Sequence, residues 1–301
     1  MHRELLSYPH IGSYSAFMVL AFLAGYLLAR WRAARLGIAG RHIDNVTLLL
    51  PLVSLLGARF FSWLFYQPDG TGFVEGMTMD GGGLVFYGGL IFGVLTLVIY
   101  TLARRLSLRE MADACAAPLM LGLAIGRVGC FLAGCCWGDL CVDMKAMAAT
   151  QDPRVSFKVH TFSMISRPGF PFAVQFPRHS NPHEQHVRLK LIPQEAPRSL
   201  PVHPVQLYEA TLALVFAFLL HRNFHRRRSP GDVFWVMMIG YGLIRFGVEF
   251  FRADNSPAYW GLTISQAISI AFVVVGGAAL AWSSSFSWGG VRQPANLVKF
   301  N

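Results

Sequence analysis

Seven apolar runs of about 20 residues each constrain this chain more than any other feature of its sequence. A run of that length is what an α-helix needs to cross a hydrocarbon core about 30 Å thick. The composition also differs from that of a soluble domain, since 54% of the 301 residues are hydrophobic and only 14% are charged. We therefore predict an all-α polytopic membrane protein with seven transmembrane helices. The runs cover residues 14–32, 45–66, 84–103, 111–134, 206–221, 233–251 and 263–282.

Basic residues cluster at three of the connections between these runs, and their distribution predicts the orientation in the membrane. Four arginines lie at the first connection, three at the third and four at the fifth. Short loops that stay in the cytoplasm carry such an excess of basic residues, so we expect the N-terminus outside and the C-terminus in the cytoplasm. The same clusters account for the net charge of +10 without nucleic acid as a partner.

A polar, proline-rich segment separates the fourth run from the fifth, and it is too long for a turn. We expect it to form a small extracytoplasmic head domain, with short strands around residues 170–177. Within it His183 and His186 are three residues apart rather than four, so we predict an exposed polar loop there and not a metal site. The predicted parts of the chain are residues 1–138 (transmembrane helices 1–4), 139–202 (head), 203–285 (transmembrane helices 5–7) and 286–301 (cytoplasmic tail).

The segment GRVGCFLAGCCWGD, residues 126–139, interrupts the fourth run with an arginine, four glycines and three cysteines. An ionisable group at membrane depth is costly and marks a candidate functional site, while glycines allow close approach of backbone or ligand. Counted from the inner ends of their spans, Arg59, Arg127 and Arg245 lie at similar depths of about 21–24 Å. We expect them to converge; the alternative is that each is structural and extends towards the interface. The polar side chains expected at the same level are Tyr14, Tyr87, His203, Gln206, Tyr208 and Glu209.

The sixth run, within YGLIRFGVEFFR, predicts how one of these arginines is held. Tyr241, Arg245 and Glu249 follow one another at intervals of four residues and therefore share a helical face. Glu249 can pair with Arg245, and Arg252 lies three residues further on. This pairing explains one arginine of the three, and the spans do not supply an anion for each of Arg59 and Arg127. Because guanidinium groups match the geometry of phosphate, we expect a phospholipid head group to supply that anion.

Four cysteines, Cys130, Cys135, Cys136 and Cys141, are expected at or beyond the outer boundary of the membrane, where disulfides persist. Zinc ligands usually come in pairs two to four residues apart, and the spacing C-x4-CC-x4-C is a poor match. We therefore predict no metal site and no cofactor. A structural disulfide and packed free thiols remain as alternatives, and a redox or acyl-carrying thiol is a third.

Four motifs in order resemble those of the prolipoprotein diacylglyceryl transferase family. GRVGCFLAGCCWGD is similar to the family signature GRxGNFxNxExxG, and DGGGLVFYGGLIFG is similar to DGGxSFHGGxxG. HPVQLYEA and IGYGLIRFGVEFFR resemble HPSQLYEA and YGxxRFxxEFFR. The resemblance implies seven membrane helices with a periplasmic head in the bacterial inner membrane. It also implies transfer of a diacylglyceryl group from phosphatidylglycerol to the lipobox cysteine of a preprolipoprotein, whose signal peptide lies in the bilayer.

The resemblance also implies roles for individual residues of this chain. Catalytic roles are expected for Arg127 and Arg245, and for Tyr87 at the position of the family histidine. A catalytic role is also expected for His203, because the topology places it at the outer mouth beside Tyr208 and Glu209; the alternative is a capping residue before Pro204. Substrate-binding roles are expected for Tyr14, Arg59, Gly88, Gly89, Gly129, Gly138, Tyr208, Glu209, Tyr241, Glu249 and Arg252.

The chain departs from the family pattern at several positions of the expected site. Tyr87 stands where the family has a histidine, Cys130 and Ala133 replace two asparagines, and Cys135 replaces a glutamate. A tyrosine, with a pKa of about 10, is a poor base at neutral pH. The base of a transferase would then be His203, Glu249 or a neighbour, assisted by Tyr87. The alternative function is a repurposed, non-catalytic relative that binds anionic phospholipid and a membrane peptide.

Overall fold

A computed structural model describes residues 4–7, 10–66, 85–141, 170–252 and 261–286 of the chain. The described part begins with an antiparallel hairpin of β1 (Glu4–Ser7) and β2 (His10–Gly12). β2 continues directly into the first helix. Residues 142–169 of the predicted head and residues 287–301 of the predicted tail lie outside the described residues.

Each of the seven apolar runs forms a helix, which confirms the helical part of the sequence prediction. The helix ends lie within four residues of the predicted ends, except that the second helix begins five residues before its run. A short eighth helix, α5, lies between the fourth and fifth runs, and a 3-10 turn covers Phe224–Arg226. The helices are α1 (Ser13–Arg35), α2 (Gly40–Tyr66), α3 (Phe86–Ala103), α4 (Leu108–Ala133), α5 (Asn181–Arg188), α6 (Val205–Arg222), α7 (Asp232–Glu249) and α8 (Ile264–Phe286).

Five of these helices, α1, α2, α4, α6 and α8, are long and apolar enough to cross a membrane. The apolar part of α3, Tyr87–Ala103, is shorter. α7 carries two carboxylates and one arginine within its 18 residues. Large apolar side chains such as Val19, Leu48 and Val274 are exposed on the outer faces of the helices, which suits contact with lipid. The chain is therefore a multi-pass membrane protein.

α4 lies at the centre of the helix packing. It packs against α1 on one side and α6 on the other, while α2 pairs with α3 and α7 pairs with α8. Ala114, Ala116 and Ala117 of α4 are completely buried. Small side chains of this kind let neighbouring helices approach closely, as in other membrane helix interfaces. The residues that follow the C-terminal end of α4 contact Gln206 of α6 and Phe251, just after α7.

At the opposite end of α4, the buried carboxylate of Asp113 holds the start of α7. Its oxygens accept hydrogen bonds from Gly231 N at 2.8 Å, Phe234 N at 3.0 Å and Arg227 Nη1 at 3.0 Å. An anion at this position also interacts favourably with the positive end of the helix dipole. Arg32 is completely buried beside it and donates from Nη2 to the backbone oxygen of Asp113 at 3.0 Å. This cluster fixes α1, α4 and α7 relative to one another.

The described part of the predicted head, residues 170–202, is held by isolated strand pairs rather than by continuous strands. Val174 pairs with Val202, and Pro177 pairs with Arg198. Phe176 is completely buried between them. The prediction of short strands around residues 170–177 is thus met only by these single bridges.

The prediction of an exposed loop at His183 and His186 is wrong, because both side chains are buried on α5. His183 Nε2 lies 2.8 Å from the backbone oxygen of Ala196, and His186 Nδ1 accepts a hydrogen bond from Leu200 N at 3.2 Å. Burial lowers the pKa of His186 to about 4, so its ring is neutral at pH 7. The two histidines therefore connect α5 to the segment that contains Ala196 and Leu200.

Candidate active site

The chain reverses direction at the end of α4, in the middle of the motif of residues 126–139. Gly134 adopts a left-handed conformation with φ 70°, which glycine reaches without steric cost. Cys135 N then donates back to the backbone oxygen of Cys130 at 3.1 Å. Gln206 of α6 donates from Nε2 to the backbone oxygen of Cys135 at 2.6 Å. The turn is thus anchored both to its own helix and to a neighbouring one.

Arg127, two turns before the end of α4, is paired with Glu209 of α6. Its Nε lies 2.9 Å from Glu209 Oε2, and its Nη2 donates to Oε1 at 3.2 Å. The Glu209 side chain is 1% exposed, whereas the Arg127 side chain is 17% exposed. The expectation that Arg127 lacks a carboxylate partner is therefore wrong. The partner comes from another helix, 82 positions further along the chain.

Arg245 of α7 forms the second ion pair, with the partner that its spacing predicts. Its Nη2 lies 2.8 Å from Glu249 Oε2, one helical turn away, and also donates to Ser265 Oγ at 3.0 Å. Glu249 Oε1 accepts a hydrogen bond from Thr263 Oγ1 at 2.7 Å, and Oε2 lies 3.9 Å from Arg252 Nε. Ser265 of α8 and Thr263, the residue before α8, thus supply two hydroxyl groups that the sequence did not assign to the site.

Tyr241 connects the two ion pairs. Its phenol interacts electrostatically with Glu209 and with the guanidinium groups of Arg127, Arg245 and Arg252. Arg127 and Arg245 therefore both lie within electrostatic reach of Tyr241, and their convergence stays a prediction. Arg59 is also buried, on α2, but its convergence with the other two arginines stays a prediction.

His203 lies just before α6 and is completely buried. Its Nδ1 is 3.2 Å from the Tyr208 hydroxyl, and its ring packs against Phe170 and Phe251 with centroids 4.7 Å and 5.4 Å apart. Burial lowers the pKa of His203 below its ordinary value, partly offset by the charge of Asp139. The ring is therefore neutral at pH 7 and can accept a proton.

Backbone hydrogen bonds connect the end of the motif to His203 and to the end of α7. Gly138 N donates to His203 O at 3.0 Å, and Asp139 N donates to Phe251 O at 2.8 Å. Gly138 also forms a strand bridge with Arg252. A Cβ atom at Gly138 would clash with Val205 and with both of these backbone segments. Glycine is required here because three chain segments meet.

The other glycines expected to bind substrate lie at helix contacts. A Cβ atom at Gly129 would approach Phe17 Cβ of α1 to 2.7 Å, and one at Gly89 would approach the Ser54 oxygen of α2 to 3.1 Å. Gly88 is in equally close contact with Gly57. These glycines position the helices that carry the polar side chains, and in the structure they face protein.

Tyr14 and Tyr87 are more accessible than the ion pairs. Their side chains are 42% and 47% exposed, at the beginnings of α1 and α3. Tyr14 also interacts electrostatically with Arg127 and with Cys130, Cys135 and Cys136. Tyr14 therefore lies on the accessible side of the Arg127 site.

All five cysteines of the chain belong to the described residues, and none of them forms a disulfide. The packed-thiol alternative is the one that the structure adopts. Cys141 is buried, and burial together with the charge of Asp139 raises its thiol pKa to about 12. Cys130, Cys135 and Cys136, by contrast, place their sulfur atoms within 4.8 Å of one another. Their spacing in the sequence did not predict this cluster.

The fold and the site together define a polytopic membrane protein with two arginine–carboxylate pairs, whose carboxylates are buried and which both interact electrostatically with Tyr241. The chain belongs to the prolipoprotein diacylglyceryl transferase family, whose model matches residues 4–282. It is 28% identical over 310 residues to a phosphatidylglycerol–prolipoprotein diacylglyceryl transferase of Paraburkholderia xenovorans (strain LB400), covering 95% of this chain and 92% of that protein. It is 30% identical over 289 residues to the protein of the same description from Salmonella arizonae, covering 88% and 87% of the two chains.

Proposed function

We propose that this chain transfers the diacylglyceryl group of phosphatidylglycerol to the lipobox cysteine of a preprolipoprotein. The family supports this proposal, since its members from Paraburkholderia xenovorans and Salmonella arizonae are named for phosphatidylglycerol and prolipoprotein. The observation that carries it is the pair of partly buried arginines, Arg127 and Arg245, which both interact electrostatically with Tyr241. Two oriented guanidinium groups at membrane depth match a phospholipid phosphate.

The proposed orientation places this site near the outer leaflet of the bacterial inner membrane. We infer seven transmembrane helices, in residues 1–138 and 203–285, with the N-terminus outside. Residues 139–202 then form the extracytoplasmic head, and residues 286–301 form the cytoplasmic tail. The arginine-rich connections support this arrangement, since such loops stay in the cytoplasm.

In the proposed complex, Arg127 and Arg245 bind the phosphate of phosphatidylglycerol. Both side chains are partly accessible, at 17% and 13% exposure. Arg245 Nη1 is buried and has no hydrogen-bond partner among the described residues, so it can donate to a phosphate oxygen. Glu209 orients the guanidinium group of Arg127, and Glu249 orients that of Arg245. Arg252 and Arg59 add positive charge to the site.

The proposed reaction is a displacement at the glycerol carbon. The thiolate of the lipobox cysteine attacks that carbon, a carbon–sulfur bond forms, and the carbon–oxygen bond to the phosphate breaks. The electron pair leaves with the phosphate oxygen, so the departing glycerol phosphate carries one more negative charge than the phosphodiester. Arginines that are already oriented stabilise this developing charge without reorganisation.

His203 is the proposed acceptor of the thiol proton. Because its ring is completely buried, the proton reaches it through the Tyr208 hydroxyl, which is 3.2 Å from Nδ1. Tyr208 passes its own proton to the neutral imidazole as it takes up the proton of the thiol. Tyr87 and Tyr14, both accessible, are placed to donate hydrogen bonds to the substrates.

The remaining predicted residues have supporting roles in this proposal. Tyr241 orients the arginines, and the glycines keep the surrounding segments in contact. The glycines are Gly88, Gly89, Gly129 and Gly138.

The test is restoration of lipoprotein maturation in cells depleted of their own transferase. The wild-type chain should restore it, and Arg127→Lys should not, since lysine keeps the charge but loses the two-pronged donor geometry. Arg228→Ala is the matched control, because Arg228 is exposed near the opposite end of the protein and should be dispensable. Full activity of Arg127→Lys would contradict phosphate binding by this side chain.

The replacement of the family histidine by Tyr87 keeps a second candidate function in view. This is a non-catalytic relative that binds anionic phospholipid and a membrane peptide. It predicts that the purified chain binds phosphatidylglycerol through Arg127 and Arg245 yet transfers no lipid to a prolipoprotein peptide. Detectable transfer that depends on Arg245 excludes it.

A further inference from the structure

Three thiols lie together beside the proposed phosphate site, and the proposed reaction uses none of them. Cys130 is in the last turn of α4, and Cys135 and Cys136 are in the turn that follows. Their three sulfur atoms lie within 4.8 Å of one another, and none is in a disulfide. Cys135 and Cys136 are partly exposed, so the cluster can be reached from outside the protein.

Two left-handed residues bring these thiols together. Gly134 has φ 70°, and Cys136 has φ 58°, a conformation that costs a residue other than glycine about 1 kcal/mol or more. Cys135 is held at the turn by its backbone contacts with Cys130 and Gln206. The surrounding structure therefore imposes a backbone that folds Cys135 and Cys136 back over Cys130.

The arrangement is close to that of a metal site with three sulfur ligands. A zinc–sulfur bond of about 2.3 Å in tetrahedral geometry separates the sulfur atoms by about 3.8 Å. The separations here, at most 4.8 Å, need to shorten by at most about 1 Å, which rotation of the side chains can supply. The partial exposure of Cys135 and Cys136 leaves room for water as a fourth ligand.

The surrounding charge favours a bound metal–thiolate complex. Three thiolates and one divalent cation carry a net charge of −1, which is costly at membrane depth unless it is compensated. Arg127 and Arg252 both interact electrostatically with Cys136. These two guanidinium groups, which also interact with Glu209 and Glu249, therefore offset part of the negative charge of the complex.

We propose that Cys130, Cys135 and Cys136 form a binding site for one soft d10 cation, of which Zn²⁺ and Cd²⁺ are the divalent examples. Thiolates select such cations over the hard cations Mg²⁺ and Ca²⁺, which prefer oxygen ligands. None of the three cysteines binds the phosphate in the proposed function, so metal binding can be tested without measuring lipid transfer.

The probe is Cd²⁺, added to the purified, reduced full-length chain in detergent under anaerobic conditions. The ultraviolet absorption of the thiolate–cadmium bond should rise and saturate at one Cd²⁺ per chain. Zn²⁺ should displace the Cd²⁺, and excess Mg²⁺ should not. Absence of a saturable absorption change in the wild-type chain would overturn the proposal.

Matched serine variants locate the ligands. Cys135→Ser and Cys136→Ser should abolish the saturable change, whereas Cys115→Ser and Cys141→Ser should keep it. If the double variant Cys135→Ser/Cys136→Ser still binds one Cd²⁺ per chain, the proposal is overturned. Loss of Cd²⁺ binding in Cys115→Ser would also overturn it.

Alkylation of the wild-type chain gives the same answer without any variant. With Cd²⁺ bound, mass spectrometry should find Cys130, Cys135 and Cys136 protected from iodoacetamide at least about tenfold compared with the metal-free chain. Protection of other cysteines instead, or equal alkylation with and without Cd²⁺, contradicts the site.

Discussion

Replacement of Glu209 by glutamine should destabilise the protein by about 3 kcal/mol, because it removes the negative charge opposite Arg127. The Glu209 side chain is 1% exposed, and its two oxygens lie 2.9 Å and 3.2 Å from the guanidinium nitrogens. Loss of one partner from a buried ion pair typically costs about 3–5 kcal/mol, since the other charge stays buried without compensation. We expect the lower end of this range, because Arg127 is partly exposed and glutamine retains one acceptor oxygen.

Asp44→Asn is the matched control for Glu209→Gln. Asp44 pairs with Arg30 near the start of α2, but those side chains are 38% and 49% exposed. An exposed pair contributes at most about 1 kcal/mol. In thermal unfolding followed by tryptophan fluorescence, about 1 kcal/mol corresponds to about 2–4 °C for a protein of comparable size. Glu209→Gln should therefore lower Tm by about 6–12 °C, and Asp44→Asn by less than about 4 °C. Equal shifts in the two variants would refute the buried pair as a source of stability.

The same variant tests whether a phosphate reaches Arg127. If phosphatidylglycerol binds there, its phosphate can take the place of the missing carboxylate, and binding to the folded state raises Tm. Mixed micelles containing phosphatidylglycerol should then stabilise Glu209→Gln more than the wild-type chain, and micelles of uncharged lipid should not. Equal stabilisation of both chains would show that the phosphate binds elsewhere.

Three further predictions concern orientation, proton transfer and pH. In a chain without other cysteines, Glu184→Cys should react with a membrane-impermeant thiol reagent on intact spheroplasts and Arg104→Cys should not; the reverse result contradicts the proposed topology. In a transfer assay, His203→Ala should lower the rate at least about 10²-fold, Tyr87→Phe should lower it modestly, and Tyr87→His should leave it equal or raised. If His203→Ala keeps the wild-type rate while Tyr87→Phe is inactive, Tyr87 carries out the proton transfer. Acidification from pH 7 to 4 should destabilise residues 170–202 by up to about 3 kcal/mol, since His186 has a folded pKa of about 4 and an unfolded value of about 6.5. That stability is present above pH 6.5 and is lost towards pH 4. The loss should appear as faster amide exchange, corrected for the intrinsic rate, in the wild-type chain but not in His186→Asn.

The helices could be predicted from the sequence because their apolar runs are local signals. α1 and α6, for example, extend beyond their runs by only one to three residues at each end. α2 begins at Gly40, five residues before its run, since its first turn contains Arg41, His42 and Asp44. Hydropathy does not detect a polar helical turn outside the hydrocarbon region, so the boundary was missed there.

The ion pairs show where sequence reasoning about the site stops. Arg245 and Glu249 are four residues apart on one helix, so helical geometry alone predicts their contact. Arg127 and Glu209 are on different helices, and their contact depends on how α6 is rotated against α4. The spacing of residues along the sequence does not determine that rotation, so it could not predict the contact. Asp113 was missed for the same reason, since its partners lie more than 110 positions further along the chain.

The thiol cluster and the contacts of Gly138 with His203 and Arg252 depend on the same turn after α4. Gly134 ends the helix in a left-handed conformation, so the chain folds back over Cys130 instead of continuing away from it. Four residues later, Gly138 forms a strand bridge with Arg252, and its N–H donates a hydrogen bond to the backbone oxygen of His203. A straight continuation of α4 would separate Gly138 from Arg252 and from His203. The glycines of the motif therefore act on the chemistry indirectly, because they determine which charged and polar side chains meet.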